Sequence, residues 1–364
     1  MDGIKMEGVK NSTENLTLLS RLLLGASGNT DENASVVRSY GLRQLGEVWG
    51  LATSHHVIMR TFPGLYEAMV AAGNDKAEWV RDAMAKEQQR IDRALSFMNP
   101  ICEALQEVGD VIVIKSLDHW PDLGSDIDLY SNGDSAELVE VMRKRFNART
   151  DERSWGDRLA NKWNFVVPGL PELVEVHIGR LGQTGEQVAI TDSLVKNSSL
   201  AQFGSHTLRV PAPENRLIIS TLQRMYRHFY LRLCDIADTA RLVDSGVVDY
   251  PYLKSLAQAA GLWKGLATYL VVVSGYVKAY RGEGPALPAL VLNAARFGNE
   301  RLFFKRKFIR VPIFPHAASL YVSEWERLLR NGELQNTLRL SLLPGLAVTA
   351  ALEMKLTGSD KGIW

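Results

Sequence analysis

Cysteine is almost missing from this 364-residue chain, which holds only Cys102 and Cys234, neither in a CxxC or Cys/His spacing. That pattern predicts neither a disulfide framework nor a zinc site. Charge of one sign is missing too. Lys and Arg number 42 against 41 Asp and Glu, so the whole chain offers no broad field to draw in nucleic acid or anionic lipid, and any such binding must be local. Clean apolar runs of membrane length are absent as well. LWKGLATYLVVVSGYVKAY from Leu262 is broken by Lys264, and LSLLPGLAVTAALEMKL from Leu340 holds Pro344, Glu353 and Lys355. Both read as buried helices rather than spans. The N-terminal MDGIKMEGVKNSTENLTLLSRLLLG has Asp2, Glu7 and Glu14 before an apolar run interrupted by Arg21. It is unlike a secretory signal and predicts a cytoplasmic protein.

The length exceeds one usual domain, and the texture divides it into three regions: 1–108, 109–211 and 212–364. Residues 1 to 15 are polar and glycine-bearing, which predicts a mobile segment. From about Leu16 to Leu105 the pattern is helical, punctuated at GASGN and at a turn, TFPG, around Pro63. Trp79, Val80, Ala83, Ile91, Ala94, Leu95 and Met98 keep helical spacing, and Pro100 should kink or split that helix. At Gly109 the texture changes. DVIVIK reads as a strand buried on both faces, followed by the loop SLDHWPDLG, a second strand DIDLYS, a turn at Asn132–Gly133 and a helix capped by Asp134, with Glu137 completing a box-like start. KWNFVVP and ELVEVHIG predict a hairpin, a helical patch follows near Ser193, and HTLRVP is a further strand candidate. Beyond Glu214 the chain reads as helical almost to its end.

The chemistry concentrates at PDLGSDIDLY. In an extended strand Asp126 and Asp128 share one face while Ile127 and Leu129 share the other, which leaves the two α-carbons roughly 6.5 to 7 Å apart. Two carboxylates so placed suit magnesium, which takes oxygen ligands and leaves room for phosphate oxygens. An acidic loop that merely alternates is the competing account. Ten positions upstream of Asp126, with nine residues between, Ser116 closes the preceding strand, where a hydroxyl could hold phosphates.

The strand ending in Lys115 and Ser116, the nine-residue loop and the D-I-D in its apolar frame together resemble the signature of the DNA polymerase β-type nucleotidyltransferases, closest to a bacterial putative branch of that superfamily. Lys115 departs from the pattern, because the family places a glycine there; a lysine could instead lend charge to the phosphates. The resemblance implies an α+β protein with a small mixed-sheet nucleotidyltransferase core flanked by helical N- and C-terminal regions, the latter closing over a cleft. It implies a third acid on a neighbouring strand, and EVH supplies Glu175, which would complete a site for two Mg2+ ions, with Mn2+ as a substitute, and would serve as general base. His177 shares the face of Glu175, either to orient it or as an ordinary satisfied histidine. The implied partners are a nucleoside triphosphate near Lys115, Ser116 and Ser125 and an acceptor that is a small molecule, a peptide or an RNA.

The same branch has a helix ending in a D-I-A-like segment, matched here by NRLIISTLQRMYRHFYLRLCDIADTARLVDSG. Read as one helix, it puts His228, Arg232 and Asp235 on one face, where His228 and Arg232 would contact the nucleotide and an ordinary surface pair is the plainer account. Asp238 and Arg241 repeat that spacing and read as structural. RLFFKRKFIR from Arg301 interleaves five basic residues with three phenylalanines; a helix covering its phenylalanines with basic stems explains it better than an RNA or membrane patch. Trp120, Trp155 and Trp163 read as packing residues, although Trp120 lies in the loop and could stack on a base. The expected activity is transfer of a nucleoside monophosphate to a hydroxyl or phosphate with release of pyrophosphate. The alternative is a non-catalytic nucleotide-sensing or partner-binding protein on the same fold, which Lys115 favours and the intact acids oppose.

Overall fold

The computed structural model describes residues 2–25, 30–305 and 307–357, with side chains from Thr13 onward apart from Thr30, Phe314 and a few in the last helix. The first region is helical: α1 (Asp2–Leu24), α2 (Thr30–Val37), α3 (Leu42–His55), α4 (Ile58–Ala71) and α5 (Ala77–Leu105). The segment expected to be mobile joins α1 from Asp2 on, and its side chains before Thr13 lie outside the described residues. The expected turn at Pro63 is not there, because Pro63 lies inside α4. Phe62, Leu65, Ala68 and Met69 are buried, and that apolar stripe carries the helix through a residue that removes one backbone donor. The chain reverses earlier, at His56, whose φ is 50°. Pro100 likewise sits within an unsplit α5 between buried Met98 and Ile101.

The second region alternates strands and helices: β1 (Val111–Val113), β2 (Ile127–Ser131), α6 (Ser135–Phe146), β3 (Arg149–Thr150), α7 (Trp155–Ala160), β4 (Lys162–Val166), β5 (Val174–Ile178), α8 (Thr191–Lys196), β6 (Ser199–Phe203) and β7 (His206–Val210). The five-stranded sheet runs β1-β2-β5-β4-β3 and is mixed: β2 and β5 are parallel, the other pairs antiparallel. The protein is thus α+β. The expected hairpin forms between β4 and β5, and HTLRV pairs with the unforeseen β6. Asp134 caps α6, accepting from the backbone of Ala136 and Glu137 at 2.8 and 3.1 Å. Gly109 and Gly133 meet back to back; a Cβ on Gly109 would come within 2.7 Å of the Gly133 backbone, so the bend into β1 and the turn after β2 need both.

Strand alternation decides what each face of this sheet touches. Val111, Val113, Ile127, Leu129, Val174 and Val176 pack on α5 and α6 in one core. Ile112, Ile114 and Tyr130 point the other way, into a second core shared by α1–α4 and the C-terminal helices. The first and last regions therefore bury one common interior. Asp128, Glu175 and His177 alternate with the first set and lie on this second face.

The last region comprises α9 (Pro213–Thr221), a π-helical turn (Leu222–Arg227), β8 (Tyr230–Leu231), α10 (Leu233–Asp244), α11 (Tyr250–Ala259), α12 (Trp263–Arg281), α13 (Ala289–Leu292), β9 (Phe303–Lys305), β10 (Phe308–Arg310), α14 (Ala318–Arg330) and α15 (Leu334–Thr357). Three expectations fail here. The single helix through His228 is broken: Phe229 has φ 53°, and Tyr230–Leu231 pair with β10. RLFFKRKFIR is a hairpin, not a helix, with Ile309 buried in β10 and Phe303 48% exposed. Its aromatic and β-branched residues suit a pleated surface. Among the described residues no helix is long and apolar enough to cross a membrane. The stretch at Leu262 forms α12 and is buried as expected. The stretch at Leu340 lies in α15 but is not buried as expected: Leu340 itself is buried, whereas Leu342, Val348, Leu352 and Leu356 are exposed.

Candidate active site

The site begins with a tight turn. Ser116 N donates to Ile114 O at 2.6 Å, and Lys115 between them has φ 63°, a left-handed conformation that glycine adopts freely and lysine does not. The following loop returns to the same rung. The Ser116 hydroxyl donates to Asp126 O at 2.9 Å and accepts from Asp128 N at 2.8 Å. Ser116 is buried, and its hydroxyl staples the loop to β2.

Register then brings in the third acid. Asp128 and Glu175 are direct partners across the parallel β2–β5 pair, and the His177 Nε2–H donates to Glu175 Oε1 at 2.7 Å. Two of the three acids therefore stand side by side on adjacent strands. The β4–β5 register adds Lys162, opposite His177. Its ammonium donates to Glu175 Oε2 at 3.0 Å and pairs with Asp157 at 2.7 Å. Lys115 Nζ pairs with Asp128 and lies 3.4 Å from Glu175 Oε1. Ser125 Oγ donates to Asp126 Oδ2 at 3.2 Å.

Burial and crowding set the protonation pattern. Burial pushes the Asp128 carboxyl up to about 7, with Lys115 opposing and Glu175 adding to the rise. Asp126 is raised for the same first reason and by Glu175. Glu175 goes the other way: burial opposes its charge, but Lys115, His177 and Lys162 together hold it well below the usual carboxylate range. Burial and then Lys115 lower His177 to about 4. It is therefore neutral, and with Nε2–H committed to Glu175 its buried Nδ1 has no partner.

A cavity of about 190 Å³ opens on these groups. Asp126, Asp128 and Glu175 line it. Arg224, Arg227, His228, Tyr230 and Arg232 line the cavity as well, with His56 from the end of α3. So His228 and Arg232 do reach the cleft, although not along one helix face. Arg232 precedes α10, where Asp235 Oδ2 accepts from its backbone N at 2.8 Å. Asp235 is spent on that cap and on Arg224, 2.7 Å away. Among the described residues Arg227 and Arg232 have no carboxylate partner; Arg232 donates to His56 Nε2 at 2.5 Å. Burial and then Arg232 keep His56 well below its ordinary value, so it is neutral and accepts. Burial and then Arg227 do the same to His228. Trp120 does not line this cavity and packs edge-on against Phe203 at 5.7 Å.

A second, wider cavity of about 530 Å³ adjoins the first and shares His56, Gly124, Ser125 and Arg232 with it. Trp49 and Phe308 supply apolar walls, and Glu172 lies in the lining with its Oε1 on Arg90 at 2.7 Å and its buried Oε2 without a hydrogen bond.

Sequence reasoning missed Lys162, Arg224, Arg227, His56 and Glu172 as cavity or carboxylate partners. Lys162 was within reach, because an EVH–KWN hairpin in this register sets Lys162 beside His177. His56 was not, since only tertiary packing brings it within reach of Arg232. Comparison with models of known protein families, with curated proteins and with solved structures gives no match to any of them. The chemistry of the cleft must therefore be read from its own residues. Among the described residues Asp128, Glu175 and His177 offer ligand atoms close enough to one another to share an ion; carboxylate oxygens suit a hard divalent cation, and the guanidiniums that line the same cavity suit phosphate.

Proposed function

We propose that the cleft performs nucleotidyl transfer from a nucleoside triphosphate, with Asp126, Asp128 and Glu175 as its acidic wall. The observation that supports it best is one cavity lined both by the carboxylates of Asp126, Asp128 and Glu175 and by Arg227 and Arg232, which have no carboxylate partners among the described residues. A triphosphate with a divalent cation needs both. Arg227 and Arg232 hold the phosphate oxygens, and Ser116 keeps Asp126 and Asp128 in register rather than touching phosphate. The acids would hold Mg2+, which would supply charge neutralisation at the α-phosphate.

The acceptor enters through the wider cavity. Asp126 stands beside Ser125, where the two cavities join, and takes the proton of the acceptor hydroxyl as its oxygen attacks the α-phosphorus and pyrophosphate leaves. Glu175, pinned by two lysines and His177, serves to position these groups and is a poor base. The test follows pyrophosphate release from each triphosphate with Mg2+ and a panel of acceptors. Activity that survives Asp128→Asn removes this mechanism. A second reading, nucleotide sensing without turnover, is favoured by the Lys115 ammonium on Asp128; it predicts tight triphosphate binding with no pyrophosphate released under any condition.

A further inference from the structure

Lys115 occupies the acidic wall rather than the phosphate side. Its left-handed backbone turns the side chain across the end of the sheet, where the ammonium pairs with Asp128 and reaches Glu175 Oε1 at 3.4 Å. Lys162 takes the remaining Glu175 oxygen at 3.0 Å. Both oxygens of Glu175 and one of Asp128 are thus already held by ammonium groups. Asp126 has only the Ser125 hydroxyl on its carboxylate.

Lys115 and Lys162 thus already stand as cations among Asp126, Asp128, Asp157 and Glu175. A second ion about 3.5 to 4 Å from the first would have to share Asp128 and Glu175 with an ammonium already beside both, and like charges at that range repel strongly in a buried setting. A lysine kept in a conformation that suits glycine also marks a residue whose side chain has a task at the site.

We propose that this cleft takes a single divalent ion, held by Asp126 and the free oxygen of Asp128, and that the Lys115 ammonium fills the place of a second. The proposal rests on the nucleotidyl-transfer reading but can fail separately from it. The test counts bound Mn2+ by electron paramagnetic resonance of the full-length chain saturated with α,β-methylene ATP. Wild type should bind one ion per chain, and Asp126→Asn should lose it. Lys115→Gly, which suits the turn, and Lys115→Met, which keeps the reach without the charge, should each bind two. Two ions in wild type, or one ion in both Lys115 variants, overturns the proposal and leaves nucleotidyl transfer standing. No ion in wild type and none in either variant overturns both.

Discussion

Two buried clusters of ionisable groups sit within this protein, and they are built to opposite plans. In one, Arg60 from α4 bridges Asp122 at 2.8 Å and Asp238 at 2.7 Å, His119 donates to Asp238 at 2.5 Å, and Arg216 holds Asp118 at 2.6 Å. Arg241 closes over it, donating to the carbonyls of Asp118 and Trp120. Cations answer acids there, and the cluster ties the loop after β1 to α4 and α10. His119, Cys234 and Asp235 lie close enough to hold a metal; here His119 uses Nδ1 on Asp238 and sets Nε2 3.7 Å from Cys234 Sγ, while Asp235 is paired with Arg224. The other cluster, at Asp126, Asp128 and Glu175, carries surplus negative charge and opens on a cavity. A closed network fixes a loop, whereas an open one keeps charge in reserve for a ligand.

The same chemical change should therefore have opposite consequences at the two clusters. Asp128→Asn should lower transfer on the order of 1,000-fold without lowering stability. The sign follows from burial: Asp128 is raised to about 7 in the fold, above its unfolded value, so its ionisation weakens the folded state as pH rises, and an amide removes that penalty. Asp238→Asn, in contrast, strands part of the charge on Arg60 and His119. It should cost about 3 to 5 kcal/mol in urea unfolding, while activity per folded molecule stays near wild type. If both variants lose the same property, the distinction between the clusters is wrong.

How much of this was legible in the sequence follows a physical line. Elements whose signals are local were readable: the buried β1, the cap at Asp134, the β4–β5 hairpin, and the period-two alternation that sets Asp128 and Glu175 apart from their apolar neighbours. Elements decided by distant partners were not. Tyr230–Leu231 is a strand only because Phe308–Arg310 pairs with it, and the helical pattern on either side hid the break at Phe229. Proline misled twice, since the buried stripes of α4 and α5 outweigh one lost hydrogen bond each. Of the closed cluster only Asp238 and Arg241 stood out, as a structural pair, because sequence spacing says nothing of Arg60, 178 positions before Asp238.

Between the two plans lies Arg227, half-buried and free of carboxylate partners among the described residues. If the basic wall exists for phosphate, Arg227→Met should raise the KM for the triphosphate about tenfold with a smaller change in kcat, and should leave the urea midpoint in place. A fall in stability without a change in KM would make Arg227 a member of the closed plan.

The smallest expected effect is the dependence of the closed cluster on pH. Burial disfavours the charged imidazolium of His119, yet its neighbours hold its pKa well above the ordinary value. Cys234 is among them, but burial pushes its thiol up and leaves it neutral, so Asp238 is the partner that keeps the proton on His119. Burial also opposes the charge on Asp238, and Arg60 and His119 overcome it, holding its carboxyl below the usual range. A raised histidine contributes stability that is complete below its unfolded value, about 6.5, and is lost as pH climbs through the folded one. A lowered aspartate contributes stability present above about 3.9 and lost as pH falls through its folded value. The urea midpoint of the wild type should therefore decline on the alkaline side of pH 6.5, and that decline should flatten in His119→Gln. The acid limb at Asp238 should survive in the variant because Arg60 remains. An alkaline slope unchanged by the substitution would mean that the proton on His119 does not hold this cluster closed.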